Sequence, residues 1–345
     1  MRVSLGSSRK GESAGIRKTV LHGASTSLKQ VIVLSPLVSL LFLYYNSVLH
    51  QWSAFLFCWG AVRHGPLDPP ITDRHCMRFG HNVNESLLTM AYQTVSFDVQ
   101  VILAIFTVYS IIIDDLAKEP EFRKDLNSLN AQLLTGKPQN NFALHPFVKF
   151  LAAIYQTYGL FASDMIIKDT FQFMGGSSHE AEGEEKSFRL PAEAPELAYY
   201  LRTKVGLCEA YAWLLFPTQQ FTEEEILRDC LPTIPYLMLY FNWVNGIMSH
   251  YKKAVEMETC NFIDNSAKPQ GMAPLEFLRK LCDGTVGVAL TLRTLGKNNP
   301  RVGRTLEVCI QGYIVYHLTQ KWYRLADLGI PLVLEVQERA KVMLQ

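Results

Sequence analysis

The stretch Tyr236–Ala254, YLMLYFNWVNGIMSHYKKA, decides how this 345-residue chain is read. It follows Pro235, and proline suits the first turn of a helix, where its missing N–H has no intrahelical partner to lose. Apart from Gly246, no glycine or proline interrupts it, so the pattern predicts one helix. Asn245, Ser249 and Lys253 fall at i, i+4 and i+8 and stack on one face. Lys252 sits about 100° around from Lys253. A polar row in an otherwise apolar, aromatic helix needs a reason, because buried polar groups cost free energy unless they are paired.

A second polar signal lies upstream. Asn84 to Glu119 reads as one or two long helices, and its strongly apolar run QVILAIFTVYSIII leads straight into Asp114-Asp115. Pro120 ends the segment, since the residue before proline avoids the α region. Adjacent carboxylates at a helix C-terminus meet the negative end of the helix dipole. The bland reading is a solvated helix end. The functional reading is a Mg²⁺ site, because hard divalent ions take carboxylate oxygen together with water and phosphate oxygen.

Further helices are predicted from Pro146 to Phe173, from Ala194 to Leu214, from Pro274 to Gly296 and from Pro300 to Gly329. GGSSHEAEGEEK, residues 175–186, reads as a flexible polar loop, and Thr222–Glu225 as a capping box. No segment shows the period-2 alternation of strands, and Asn245-Gly246 lies inside a helix pattern rather than between strands. There is no P-loop, GxGxxG, GxSxG or His pair at metal spacing, so kinase, dinucleotide and hydrolase readings have no support.

These pieces together resemble the trichodiene synthase family of fungal class I terpene cyclases, over roughly residues 80 to 330. The family's second metal motif runs N-D-x-x-S-x-x-x-E, with a Lys just before the Glu. Asn245, Ser249 and Lys252 match it. Gly246 stands where Asp is usual, and Lys253 stands in place of the metal-binding Glu. Asp114 and Asp115 match the aspartate-rich first motif, whose third acid is displaced to Glu119. LRTKVGL, Leu201–Leu207, resembles the context of the family's diphosphate-binding Arg, which makes Arg202 the match. GYIVYHLTQKWYRLADL, Gly312–Leu328, resembles a C-terminal element with an adjacent Arg-Tyr pair. Tyr323 matches the Tyr, while Trp322 stands where the Arg belongs.

The resemblance implies an all-α class I terpenoid synthase bundle of about ten helices around a central apolar cavity. It implies a carbon–oxygen lyase that ionises a prenyl diphosphate, with farnesyl diphosphate the expected substrate. Asp114 and Tyr323 are the implied catalytic residues. Asp114, Asp115, Asn245 and Ser249 are the implied metal ligands, with Mg²⁺ the cofactor and fewer than three ions expected. Arg202, Lys252 and Lys253 are the implied diphosphate binders. Phe106, Tyr109, Phe241, Tyr316 and Trp322 are candidate cavity aromatics, since ring faces stabilise carbocations; ordinary core packing explains any one of them equally simply. Lys253 and Trp322 deplete the diphosphate side. This leaves open a cyclase with fewer metals, an enzyme coupling a terpenoid or prenyl cation to a second nucleophile, and a non-catalytic partner of another cyclase. A homodimer is among the partners considered.

A chain of this length is enough for one large α-domain, assigned to residues 66–345. A net charge of +1 gives no electrostatic case for nucleic acid. The seven cysteines are odd in number and scattered without a CxxC pair, which reads as buried free thiols of a reducing cytosol. Residues 1–28 are basic and polar and are expected to be disordered. Residues 29–65 form an apolar segment with no Asp, Glu, Lys or Arg from Gln30 to Val62. It is read either as a membrane anchor through residues 31–62, since about 20 apolar residues span a bilayer, or as buried helices of a cytoplasmic protein.

Overall fold

The computed structural model describes residues 87, 90–185, 190–256 and 261–343. The disordered, apolar and membrane expectations for residues 1–65 lie outside the described residues. Every regular element described is helical. In chain order the main helices are α1 (Phe97–Leu116), α2 (Pro120–Thr135), α3 (Leu144–Leu151), α4 (Leu160–Glu185), α5 (Leu197–Val205), α6 (Cys208–Trp213), α7 (Ile234–Val255), α8 (Phe262–Ala267), α9 (Pro274–Leu295), α10 (Pro300–Thr319) and α11 (Pro331–Met343).

Helix α7 is the predicted central helix, with Pro235 in its first turn. Leu237, Tyr240, Phe241, Val244, Ile247, Met248 and Tyr251 are all buried along it. It packs against α6, α8, α9 and α10. The phenol of buried Tyr240 donates to the Ile310 carbonyl at 2.7 Å, which satisfies its polar end inside the core. Helix α1 is long and apolar enough by composition to cross a membrane. Here it is a core helix, with Val99, Leu103, Phe106 and Ile113 all fully enclosed.

Four boundaries differ from the sequence reading. The segment predicted as one helix from Pro146 is broken at Tyr158-Gly159, where Tyr158 is extended and its buried phenol donates to the Leu214 carbonyl at 3.1 Å. The predicted loop 175–186 is helical through Glu185. Gly176 passes so close to α5 that an added Cβ would lie 2.5 Å from the Lys204 carbonyl oxygen. Ser177 and Ser178 are buried behind it, so tertiary packing overrides the loop-like composition.

The predicted helix 194–214 breaks at Gly206-Leu207, with Leu207 in the left-handed region at φ 49°. Helix α6 has no cap of its own; Asp169 on α4 supplies one by accepting the Ala210 N–H at 2.9 Å. Finally, α10 ends at Thr319, and Lys321–Tyr323 form a separate 3₁₀ turn.

Candidate active site

The site is built where the end of α5 meets the middle of α7. Arg202 Nη2 donates to Asn245 Oδ1 at 2.6 Å. Asn245 Nδ2 in turn donates to the Tyr323 hydroxyl at 3.3 Å and faces His317 Nε2 at 3.5 Å. His317 Nδ1 donates to the Tyr313 carbonyl at 2.7 Å, which leaves Nε2 as the acceptor. Burial pushes His317 down to about 4, and the Arg202 charge acts in the same direction, so the ring is neutral at pH 7. Burial likewise pushes Tyr323 up to about 12, so it remains a phenol. The Nε of Arg202 is buried and has no protein partner.

The acid stands on another helix, and neither Asp114 nor Asp115 is among the residues that line the recess between α4, α5, α7 and α8. Asp114, at the C-terminal end of α1, accepts from the Ser177 hydroxyl of α4 at 3.3 Å. Crowding by surrounding protein raises its pKa; Lys118 opposes this, Asp115 adds to it, and Ser177 and Lys253 lower it. Lys253 belongs to α7, so two helices far apart in sequence place an ammonium within electrostatic range of this carboxylate. The sequence reading places Asp114 and Asn245 on one shared hollow, and neither residue is among those lining the recess.

A recess of about 430 Å³ opens between α4, α5, α7 and α8, within the usual range for small-molecule sites. Gly176, Leu201, Arg202, Ser249, Lys253 and Phe262 are among its walls. Gly246 lies beneath the Phe262 ring, where an added Cβ would approach Cδ1 to 3.2 Å. The aromatic side chain thus closes over the position that carries Asp in the family motif. His250 also lines the recess; its Nδ1 has no protein partner, and burial lowers its pKa against the pull of Asp264.

The remaining predicted residues are dispersed. Phe106 and Tyr109 pack on Phe147 of α3, with ring centroids 5.9 and 5.0 Å apart, as part of the α1–α3 core. Phe241 packs on Tyr313, and Tyr316 joins Tyr313, His317 and Tyr323 in a ring cluster beside Asn245. Trp322 is 58% exposed and is not among the residues lining the recess. Its neighbour Lys252 has its ammonium 3.6 Å from the Trp322 ring centroid and 3.5 Å from Glu256. Arg324 turns to Asp327.

The fit to Mg²⁺ is one-sided. On α7, Asn245 Oδ1 is held by Arg202, the Ser249 hydroxyl donates to the Asn245 carbonyl at 2.6 Å, and Lys253 presents a cation. That wall does not fit a divalent ion. Among the described residues no group of three His, Cys, Asp or Glu side chains is close enough to hold a metal. The oxygens suited to Mg²⁺ are those of Asp114 and Asp115.

Sequence reasoning missed Ser177, His317, His250 and Asn242. Asn242 is fully buried beside Gly206, and neither amide atom has a partner. For His317, His250 and Asn242 the only trace in the sequence is a polar side chain inside an apolar helix, a signal that packing alone also produces, and Ser177 is hidden in a stretch that reads as a loop.

The helical bundle is that of the class I terpenoid synthases. A solved linalool/nerolidol synthase from Streptomyces clavuligerus, in complex with 2-fluorogeranyl diphosphate, matches it with a TM-score of 0.56 at 12% identity. The match covers 78% of this chain and 94% of that one. Within that class the chain belongs to the trichodiene synthase (TRI5) family, whose profile matches residues 76–332. It is 31% identical over 257 residues to an (E)-beta farnesene synthase of Metarhizium brunneum, covering 74% of this chain and 76% of that protein. It is 27% identical to terpene synthase BipA of Cochliobolus sativus, covering 78% and 82%. A trichodiene synthase of Trichoderma arundinaceum is 25% identical, with 68% and 59% covered. The chain is therefore a terpene synthase-type protein.

Proposed function

We propose that this chain ionises a prenyl diphosphate, farnesyl diphosphate by preference, and cyclises the resulting cation. The observation that carries the reading is the Arg202 fork. Asn245 fixes one nitrogen, the buried Nε has no protein partner, and Lys253 lies on the same recess. A guanidinium positioned in this way presents preorganised donors to an anion, and such donors are strongest where water is excluded.

In this reading the C–O bond to the diphosphate breaks heterolytically and the electron pair leaves on oxygen. Arg202 and Lys253 stabilise the departing charge. Asp114 and Asp115 are the residues that would hold Mg²⁺, which when bound supplies further neutralisation of phosphate charge. The Lys253 ammonium takes the place of part of the usual metal charge, so fewer than three ions are needed. In this reading the ring cluster of Tyr313, Tyr316 and Tyr323, beside Asn245 and not among the residues lining the recess, stabilises a carbocation that reaches it, each face contributing up to about 2 kcal/mol when desolvated. Burial keeps all three rings as neutral phenols.

Incubating the purified full chain with farnesyl diphosphate and Mg²⁺ tests this directly. Release of pyrophosphate with a hydrocarbon or alcohol product supports the reading. A second reading is favoured by Lys253 and Trp322 standing where the family has an acid and an arginine. There the cavity couples a prenyl or terpenoid cation to an amine or alcohol, and pyrophosphate is released only after such a nucleophile is added. Absence of release under both conditions points to a non-catalytic partner of another cyclase.

A further inference from the structure

Lys252 lies two turns along α7 from Asn245 and on the same side of the helix. Its side chain is 10% exposed, while the indole lying over it is 58% exposed. A large ring on a short surface turn is therefore covering an almost buried ammonium. The next residue, Tyr323, is 8% exposed and meets Asn245 further up the same helix. Adjacent aromatic residues of one 3₁₀ turn thus grip α7 at two points. The turn ends in the left-handed residue Arg324, at φ 56°, whose guanidinium is drawn off to Asp327.

We infer that Trp322 is a positioning residue which holds the Lys252 ammonium on its ring and away from an anion on the α7 wall. The inference rests on the reading of that wall as the diphosphate site. A cation over an indole face is held by the ring quadrupole. An anion that recruits Lys252 must first break this contact, so the ring lowers anion affinity and keeps the turn closed on α7 until a ligand arrives. Trp322 acts through Lys252 and touches no reacting atom.

The test titrates inorganic pyrophosphate into the full chain by calorimetry, in wild type, Trp322→Leu, Trp322→Phe and Lys252→Gln, and in the Trp322→Leu/Lys252→Gln pair. Trp322→Leu is expected to bind about two- to fivefold more tightly, the size of an ordinary cation–π contact. Trp322→Phe, which keeps a ring face, falls between it and wild type. Lys252→Gln weakens binding more in the Trp322→Leu background than in wild type, a coupling that a purely structural role would not give. Equal or weaker binding by a cooperatively folded Trp322→Leu overturns the inference, as does an equal Lys252→Gln effect in both backgrounds.

A ligand-independent measurement separates this inference from the reading beneath it. With lysines reductively ¹³C-methylated, the Lys252 resonance is shifted upfield by the indole ring current, and the shift vanishes in Trp322→Leu. Pyrophosphate binding that depends on Arg202 but shows no such shift overturns the inference alone. A shift with no pyrophosphate binding in any variant removes the diphosphate reading and the inference with it.

Discussion

Arg202 on α5 and Asn245 on α7, 43 residues apart, are joined by a 2.6 Å hydrogen bond from guanidinium to amide oxygen. The contact fixes the plane of the guanidinium against the wall of the recess. Lysine has neither the planar fork nor the reach to reproduce it. Arg202→Lys is expected to weaken inorganic pyrophosphate binding about 10- to 100-fold, the range for a hydrogen bond to a charged group. Calorimetric titration reads this, and an unchanged affinity would remove Arg202 from the anion site.

Lys253 and Asp114 form the second relationship. Burial raises the Asp114 pKa, and the ammonium on α7 opposes that rise. Lys253→Glu replaces attraction by a carboxylate facing a carboxylate, which a divalent cation relieves. The variant is expected to bind Mg²⁺ at least about tenfold more tightly than wild type, and adding Trp322→Arg should raise pyrophosphate release from farnesyl diphosphate. Asp114→Ala should abolish that release. Full activity in Asp114→Ala, or no gain in the restored pair, would count against the assigned roles.

Asp169 gives a pH signature. Burial raises its pKa to about 6, although the Ala210 N–H opposes the rise. The folded state therefore binds this proton more tightly than the unfolded chain, whose Asp titrates near 4. Its stabilising contribution is complete below about pH 4 and is lost as pH rises through about 6, a change of about 2 to 3 kcal/mol. Asp169→Asn keeps an oxygen for Ala210 and removes the titration. Urea unfolding at pH 4.5 and pH 7.5 should show the variant gaining on wild type at the higher pH. A pH-independent difference would contradict the assignment.

The Gly175-Gly176 pair discriminates a helix from a loop. A Cβ at Gly175 meets nothing within 4 Å, whereas one at Gly176 runs into the Lys204 carbonyl. Gly175→Ala should stabilise by about 0.5 to 1 kcal/mol, the helix-interior preference for alanine. Gly176→Ala should destabilise by about 1 to 3 kcal/mol, as overpacking does, and shift α5 together with Arg202. Thermal melts of the two variants moving in the same direction would rule out this packing.

The central helix was legible because its signals are local. Pro235, the unbroken apolar run and the Asn245–Ser249–Lys253 spacing depend only on neighbours within two turns. The Thr222–Glu225 capping box was legible for the same reason, and the structure forms both of its reciprocal bonds. The α4 extension was not legible, because glycine, serine and glutamate together look like a loop until a second helix arrives at Gly176. The Leu207 break was hidden too, since its support comes from Asp169, 41 residues away from Ala210.

The sequence by itself determined the helical class, the family, and which polar residues stand out along α1, α5 and α7. Periodicity and residue type carry that much, because they report what each segment does with its own neighbours. The tertiary structure alone decided how those residues face one another. It joined Arg202 to Asn245, set Lys253 within range of Asp114, placed Phe106 and Tyr109 in the core, and laid Trp322 over Lys252. Such pairings depend on packing between helices distant in sequence, where orientation follows from the best burial of whole faces rather than from any local pattern.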